Sequence, residues 1–188
     1  VDSAWEKVSE KGTLVVGISV DQPPFEFYNH ELQIDGFDPT LIREIGAILG
    51  LPVEMKDIAF EGLDDALSLG LVDIIISSIP VNTNSEIIAY SDIYFTGEDA
   101  VLTRLDFDGE EASSFIDLAR YRIGVINRTL QHTLILKELV EPGLMLSQNL
   151  TVFQDLTTAA KELRESRIDY LFLDLVQARI LANSGETQ

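Results

Sequence analysis

Short apolar runs and helically spaced apolar residues alternate along the first half of the chain. Runs at residues 13–18, 53–55 and 72–77 predict three strands, because each lies between turn residues or helical segments. Residues 63–69 have the spacing of a short helix. With the longer helix that lies between the first two strands, these segments predict the order β-α-β-α-β.

The segment GFDPTLIREIGAILG carries the signals of that longer helix. Asp38 is the predicted N-cap and Pro39 the first helical residue, since aspartate accepts hydrogen bonds from free N–H groups and proline has no N–H to leave unpaired. Gly50 predicts the C-terminal end. The apolar positions at helical spacing are Leu41, Ile42, Ile45, Ile48 and Leu49. They predict a helix face that packs on a sheet.

The second half of the chain repeats the alternation. It predicts strands at residues 121–126, 151–153 and 168–173 and helices at residues 130–140, 157–167 and 175–183. Such alternation is typical of mainly parallel sheets covered by helices, so we predict an α/β protein. The charged stretch DFDGEEASS separates the two series and predicts two lobes, residues 1–103 and 104–188. A connecting strand at residues 100–104 predicts a hinge near residues 100–106.

Composition narrows the classes of function. Thirteen basic and 32 acidic residues give a net charge of −19, which opposes binding to nucleic acid or to an anionic membrane. That charge either keeps the surface soluble or attracts cations. The lack of cysteine argues against disulfides and thiolate chemistry, and two histidines, His30 and His132, are too few for a histidine metal cluster. We predict no cofactor, no metal site and no nucleic-acid partner.

The chain also lacks the signals of membrane insertion. No apolar run reaches the length of a membrane span, and the first residues, VDSAWEKVSEKG, have neither the basic nor the apolar region of a secretory signal. We therefore expect no direct membrane span in this sequence. Any secretory signal has been removed or was never present.

Four polar loops follow predicted strands. Ligands of open α/β sheets bind outside the carboxyl ends of the strands, near helix N-termini that offer free N–H groups. This rule selects residues 19–25, 77–85 and 127–131, together with the strand end at Asp174. We predict that these loops hold a small polar ligand.

Six stretches in a fixed order resemble a known family. They are GISVDQPPFEF, IDGFDPTLIREIGAILG, EGLDDALSLGLVDIIISSIPV, YSDIYF, IGVINRT and IDYLFLD. Together they are similar to the extracytoplasmic, or periplasmic, solute-binding proteins of family 3, the polar amino-acid-binding type. The resemblance implies a type II periplasmic-binding-protein fold whose two lobes close on a small polar solute such as an amino acid or an amine. It also implies a periplasmic or extracytoplasmic location, possible tethering to the membrane in the full-length protein, and delivery to an ABC transporter permease.

The carboxylate clamp of that family is incomplete here. Family members that bind α-amino acids usually place Ser or Thr, and then an arginine, after the serine pair that matches Ser77 and Ser78. This chain has Pro80 and then Asn84 or Ser85 at those positions. No Lys or Arg occurs from residue 57 to residue 103, whereas nine acids do. A neutral amide does not replace a guanidinium at similar strength, so we expect a cationic or neutral amine-bearing solute rather than an ordinary amino acid. The alternatives are a ligand whose anionic group meets Arg128 and Thr129, and the loss of ligand binding altogether.

At the other ligand-contacting positions of the family, this chain differs at some residues and matches at one. The first loop has Ser19 and Gln22 where the family has an acid and an aromatic residue, with Asp21 and Phe25 nearby as replacements. Arg128 takes the place of a glycine before Thr129 and Leu130, at the start of a predicted helix that offers an anion site. Asp174 matches the acid that meets the ligand ammonium group, although it also suits the cap of the helix at residue 175.

The candidate ligand-binding residues follow from these loops and from the resemblance. They are Ser19, Asp21, Gln22, Phe25, Phe60, Ser77, Ser78, Pro80, Asn82, Asn84, Ser85, Asn127, Arg128, Thr129, Leu130 and Asp174. Each has a structural alternative: the serines and asparagines suit an ordinary polar loop, Arg128 suits a surface ion pair, and the two phenylalanines suit the core.

The predicted function is solute binding without chemistry. An enzyme would need a nucleophile with its base, a metal cluster or a carboxylate pair with perturbed pKa values, and the sequence offers none of them clearly. The alternatives are a ligand-sensing domain of a membrane receptor or sensor kinase and a dehydratase-like enzyme on the same fold. The resemblance further implies a C-terminal return segment to the first lobe, which we expect to be missing after Asp174.

Overall fold

The computed structural model describes residues 3–81 and 88–183. The chain divides into two compact units, Val1–Tyr94 and Phe95–Gln188. The sequence placed the division at residues 103 and 104, with a hinge near residues 100–106. The strand at that position pairs within the sheet of the second unit, and the hinge itself stays a prediction.

The first unit is built on a parallel three-stranded sheet. Its elements are α1 (Ser3–Lys11), β1 (Leu14–Ile18), β2 (Phe27–Tyr28), β3 (Ile34–Asp35), α2 (Phe37–Leu49), β4 (Val53–Asp57), α3 (Leu63–Ser68) and β5 (Ile74–Ile75). The strand order is β4-β1-β5, and every residue of the central strand β1 is buried. The strands β2 and β3 form a separate antiparallel pair. The run predicted as a strand at residues 72–77 pairs only over Ile74–Ile75, and the chain bends soon afterwards, at Ser78, which has a positive φ of 47°.

The start of α2 differs from the prediction. Gly36 is the N-cap, so the prediction of Asp38 as the N-cap and Pro39 as the first helical residue is wrong. The N–H groups of Phe37 and Asp38 donate to the carbonyl oxygens of residues 24 and 25, which satisfy the helix end without a side-chain cap. The Asp38 carboxyl is fully buried as a result and makes its contacts inside the unit.

Fewer apolar residues of α2 are buried than its helical pattern predicts. Ile42 is buried, and Gly46 approaches β4 so closely that a Cβ would lie 2.3 Å from the Val53 side chain. The apolar residues left exposed are Ile45, Ile48 and Leu49. The helix ends as predicted, with Gly50 in the left-handed conformation at a φ of 69°.

The second unit contains a four-stranded sheet with helices on both faces. Its elements are β6 (Asp99–Leu102), β7 (Ile123–Ile126), α4 (Leu130–Ile135), β8 (Leu150–Phe153), α5 (Leu156–Arg164), β9 (Tyr170–Asp174) and α6 (Leu175–Asn183). The order is β6-β9-β7-β8, in which β6 runs antiparallel and the other neighbours are parallel. Leu171 and Leu173 pack with α5 and α6, whereas Tyr170 and Phe172 pack with α4. The predicted α/β class, with mainly parallel sheets, is confirmed.

Two details complete the second unit. The helix predicted at residues 130–140 is an α-helix to Ile135 and continues as a π-helix over Leu136–Val140. Among the described residues, no helix has both the length and the apolar character to span a bilayer.

Candidate functional site

In the first unit, the turn after β5 is fixed by a buried acid. The Ser77 Oγ accepts a hydrogen bond from Ser19 N at 3.0 Å and lies 3.1 Å from Glu26 Oε1. The Ser78 Oγ donates to Glu26 Oε2 at 3.2 Å, and Ser78 N donates to Asp38 Oδ2 at 2.7 Å. Two carboxyl groups therefore hold the Ser77–Ser78 turn from one side.

The chain brings Glu26 and Asp38 together through a tight turn. Gln22 and Glu26 form an antiparallel bridge around the two prolines, and the turn carbonyls then accept from the start of α2. Gly36 allows this approach, since a Cβ there would lie 2.3 Å from the Phe25 carbonyl oxygen. The exposed fractions are 1% for Glu26 and 0% for Asp38, so solvent stabilises neither charge.

Burial changes the protonation of this carboxyl pair. The pKa of Glu26 is raised from 4.5 to about 9, chiefly by burial and next by the charge of Asp38, although hydrogen bonds from Ser77 and Ser78 lower it. Burial also raises the pKa of Asp38, against hydrogen bonds from Ser78 and Tyr94. Because two buried carboxylates in contact cannot both ionise easily, burial and the charge of Asp38 together favour the protonated form of Glu26.

An aromatic group lies next to the pair. The Tyr94 hydroxyl donates to Asp38 Oδ2 at 3.0 Å, and burial raises the pKa of the Tyr94 phenol, so it stays a donor. The Tyr94 ring stacks on Phe37 with 6.2 Å between centroids, and Phe25 meets Phe37 edge to face. These rings fix the end of the first unit against α2.

The other candidates of the first unit are in different surroundings. Ser19 is buried and bonded to Ser77, Phe25 is buried, and Gln22 is half-buried in the turn. Asp21 and Pro80 are exposed, whereas Phe60 is half-buried. Three candidates, Asn82, Asn84 and Ser85, lie outside the described residues. The structure thus groups Ser19, Ser77 and Ser78, and a ligand role for any of these residues stays a prediction.

In the second unit, two acids face each other across the sheet. Asp174 ends β9 and lies directly opposite Asp99 of β6 in the antiparallel ladder, which puts both side chains on one face. Asp174 Oδ1 accepts from Gln177 N at 2.9 Å and so caps α6, and Asp99 Oδ1 accepts from the buried Gln131 Nε2 at 2.8 Å. Within the described chain, neither carboxylate forms an ion pair.

The surroundings of Asp174 differ from those of the buried pair. Its side chain is half-buried, and its pKa is raised chiefly by burial and slightly by the charge of Asp99, while backbone N–H groups of α6 lower it. Asp99 itself is exposed. Like charges placed opposite each other destabilise a sheet, and a bound cation would remove that repulsion.

The loop after β7 holds the remaining candidates. Thr129 is buried and caps α4, because its Oγ1 accepts from His132 N at 3.2 Å and donates to the Ile126 carbonyl at 2.8 Å. Arg128 is half-buried in a left-handed conformation with a φ of 64°. Asn127 Nδ2 lies 3.4 Å from Gln154 Oε1. The last candidate, Leu130, is an exposed residue of α4, and the anion site at the start of this helix stays a prediction.

The sequence interpretation missed the residues that organise both regions. Glu26, Asp38 and Tyr94 in the first unit, and Gln131 in the second, were not candidates. The position of an acid between two aromatic residues, Phe25 and Phe27, is a local signal that could have identified Glu26. No group of three or more potential ligand side chains that could hold a metal ion occurs among the described residues.

Comparison with known proteins identifies the family. A family model of bacterial extracellular solute-binding proteins, family 3, matches residues 14–172. The chain belongs to this family. The resemblance inferred from the sequence is therefore confirmed, and so is the association with amino-acid-binding proteins.

Individual relatives have names that mention arginine. The chain is 30% identical over 118 residues to the arginine-binding extracellular protein ArtP of Bacillus subtilis, covering 62% of this chain and 45% of that protein. It is 32% identical over 114 residues to the probable ABC transporter arginine-binding protein ArtJ of Chlamydia trachomatis, covering 61% and 43%. The matched part thus spans less than half the length of these relatives.

A solved structure supports the fold across the whole chain. Holo ArgBP from T. maritima has a TM-score of 0.76 and 29% identity, with 97% of this chain and 77% of that chain covered. The likeness to this periplasmic binding protein confirms the predicted type II fold. The expected absence of a C-terminal return segment stays a prediction.

Proposed function

We propose that the protein binds a small, positively charged solute outside the cytoplasm and delivers it to an ABC transporter. The solute class is an amine or a guanidinium compound. Family membership supports solute binding, and the name of ArtJ supports the transporter as partner. The names of ArtP and ArtJ also support a guanidinium-bearing ligand.

The observation that carries the ligand class is the acid pair of the second unit. Asp99 and Asp174 repel each other across the ladder and form no ion pair in the described part of the chain. A solute cation that contacts Asp174 would gain a charge-assisted hydrogen bond and remove the repulsion. The net charge of −19 favours the approach of such a cation.

We also propose that the protein performs no chemistry. The acids with the most perturbed surroundings are Glu26 and Asp38, which would be the first candidates for acid–base catalysis. Both are buried and bonded to Ser77, Ser78 and Tyr94. Their contacts support a role in holding the fold rather than in proton transfer to a substrate.

The test is thermal unfolding with a panel of arginine, polyamines, quaternary amines, small carboxylates and sugars. A cation at 100 times its Kd should add about 2.7 kcal/mol to the free energy of unfolding. Shifts with arginine, polyamines or quaternary amines support the proposal. Shifts confined to carboxylates or sugars contradict it.

Matched variants locate the effect. Asp174→Asn should keep the helix cap and remove the charge, so we expect the Kd for the cation to rise about 30-fold. Asp155→Asn makes the same change at the exposed cap of α5, where Asp155 accepts from Thr158 N, and should leave the Kd unchanged. Equal effects of the two substitutions would contradict a specific role of Asp174.

A further inference from the structure

The Glu26–Asp38 pair has an acceptor that requires a proton. Asp38 Oδ1 is buried and has no hydrogen-bond partner in the structure. The Glu26 carboxyl lies within hydrogen-bonding reach of Asp38. One proton on Glu26 would give the pair an O–H donor and would remove one of the two charges.

Among the described residues, no positively charged side chain contacts the Glu26–Asp38 pair to neutralise its charge. Its contacts come from the turn after β5, through Ser77 and Ser78, and from Tyr94. The titratable groups among them are the two acids and the Tyr94 phenol, and none of these three groups can carry a positive charge. No Lys, Arg or His contacts either acid in the part of the chain that the structure describes.

The Ser77–Ser78 turn depends on these contacts. Ser78 has a φ of 47°, in the left-handed region that a residue with a side chain occupies at a cost. Its N–H and its hydroxyl are both bonded to the acid pair, at 2.7 Å to Asp38 and at 3.2 Å to Glu26. The acids thus fix the backbone and the side chain of Ser78 at once.

We propose that Glu26 and Asp38 are positioning residues that share one proton, and that this proton holds the Ser77–Ser78 turn in the conformation needed for solute binding. The link to binding rests on the proposed function and on the prediction from the sequence that Ser77 and Ser78 contact the solute. Loss of the proton places two negative charges side by side in a buried site, and their repulsion releases Ser78.

This mechanism predicts a pH profile that a purely structural contact would not give. As the pH rises through the alkaline range where the pair loses its proton, solute affinity should fall by up to tenfold per pH unit. Glu26→Gln supplies a permanent N–H donor to Asp38 and cannot ionise. Its affinity should not show this alkaline loss.

The experiment has one arm without ligand. The amide resonance of Ser78 is followed by NMR from about pH 6 to about pH 10 in the unsubstituted protein and in Glu26→Gln. We expect an alkaline titration in the former and none in the latter, in line with the raised pKa of Glu26. A Ser78 resonance that does not titrate in the unsubstituted protein overturns the proposal, whether or not the variant folds.

The second arm measures binding of arginine and of putrescine by calorimetry over the same pH range. The ratio of the Kd values of the two proteins removes any titration of the probe itself. A ratio that rises with pH supports the proposal, and a constant ratio overturns the link to binding. If neither probe binds at any pH, the proposed ligand class fails, while the Ser78 titration still decides whether the shared proton holds the turn.

Discussion

Each of the two units contains a pair of neighbouring acids, and the two pairs differ in how deeply they are buried. In the first unit, Glu26 and Asp38 are buried, hydrogen-bonded to one turn and joined by a proton. In the second unit, Asp174 is half-buried and Asp99 is exposed, and the pKa of Asp174 is raised chiefly by burial. Burial is the difference that decides which pair keeps a proton.

This difference separates the structural role that we propose for the first acid pair from the binding role that we propose for the second. A buried pair that holds one proton carries one negative charge instead of two, so it attracts a cation less strongly. It can still fix a strained turn through its hydrogen bonds. An ionised pair on one face of a sheet destabilises its own unit slightly and attracts a cation. The net charge of the chain therefore says less about ligand binding than the degree of burial of particular acids.

The largest expected effect is on the pH dependence of stability. In the folded protein the pKa of Glu26 is about 9, whereas in the unfolded chain it has its usual value of 4.5. At a pH between these values, Glu26 is protonated in the folded protein and ionised in the unfolded chain. Folding takes up a proton between these values, so the free energy of unfolding is highest below the lower pKa and falls as the pH rises toward the upper one. We expect a loss of about 3 kcal/mol between about pH 6 and about pH 8.5.

Urea unfolding at several pH values measures this loss. Glu26→Gln should flatten the curve over the same range, because glutamine does not titrate. Asp174→Asn should change the slope much less, since Asp174 is half-buried and its cap is kept. An identical slope in Glu26→Gln and the unsubstituted protein would show that the first pair is ionised like the second.

A substitution at Gly36 should have an effect on stability of similar size. Gly36→Ala puts a Cβ against the Phe25 carbonyl and requires alanine at a φ of 126°, so it should separate the turn at Glu26 from α2. We expect a loss of about 3 kcal/mol or more, measured by urea unfolding. The control is Gly50→Ala, whose Cβ would meet nothing within 4 Å at a φ of 69°, and which should cost about 1 kcal/mol.

Cation binding should depend on pH through the second pair. Because the pKa of Asp174 is raised above its usual value, acid removes its charge at a higher pH than for an ordinary aspartate. The affinity for arginine should be highest above that pKa and fall by up to tenfold per pH unit below it. Calorimetry at constant ionic strength measures the profile. A profile that Asp174→Asn leaves unchanged would assign the titration to another group.

The smallest expected effect belongs to Asp99. Asp99→Asn should lower the pKa of Asp174 slightly, since it removes the opposing charge, while keeping an acceptor for Gln131. It should weaken cation binding by about threefold, less than Asp174→Asn, because Asp99 is exposed and its charge is screened. A larger loss than with Asp174→Asn would reverse the roles of the two acids.

The sequence predicted most of the elements because their apolar runs and helical spacing are local. It predicted the end of α2 at Gly50 for the same reason. It was wrong about Asp38, because the dipeptide Asp-Pro is typical of a helix start and the true cap depends on contact with the turn at residues 22–26. That contact joins segments that no local pattern links.

For the candidate site, as for the fold, the features that depend on local sequence were predictable and those that depend on contacts between distant segments were not. The positions of Ser77, Ser78 and Asp174 at strand ends follow from the order of the elements, as the strand-end rule predicts. The pairing of Asp174 with Asp99 follows from the antiparallel register of β6 and β9, which depends on the sheet as a whole. The unusual protonation of Glu26 depends on burial, which no residue type fixes by itself.

The most direct test of the difference between the units is a carbon-detected NMR titration of the Glu26 and Asp174 side-chain carboxyl groups, with and without arginine. We predict that Glu26 carries its proton at neutral pH in both cases, whereas Asp174 is ionised and its pKa falls when arginine binds. A Glu26 carboxyl that titrates near its usual pKa, or an Asp174 titration that arginine leaves unchanged, would contradict the account.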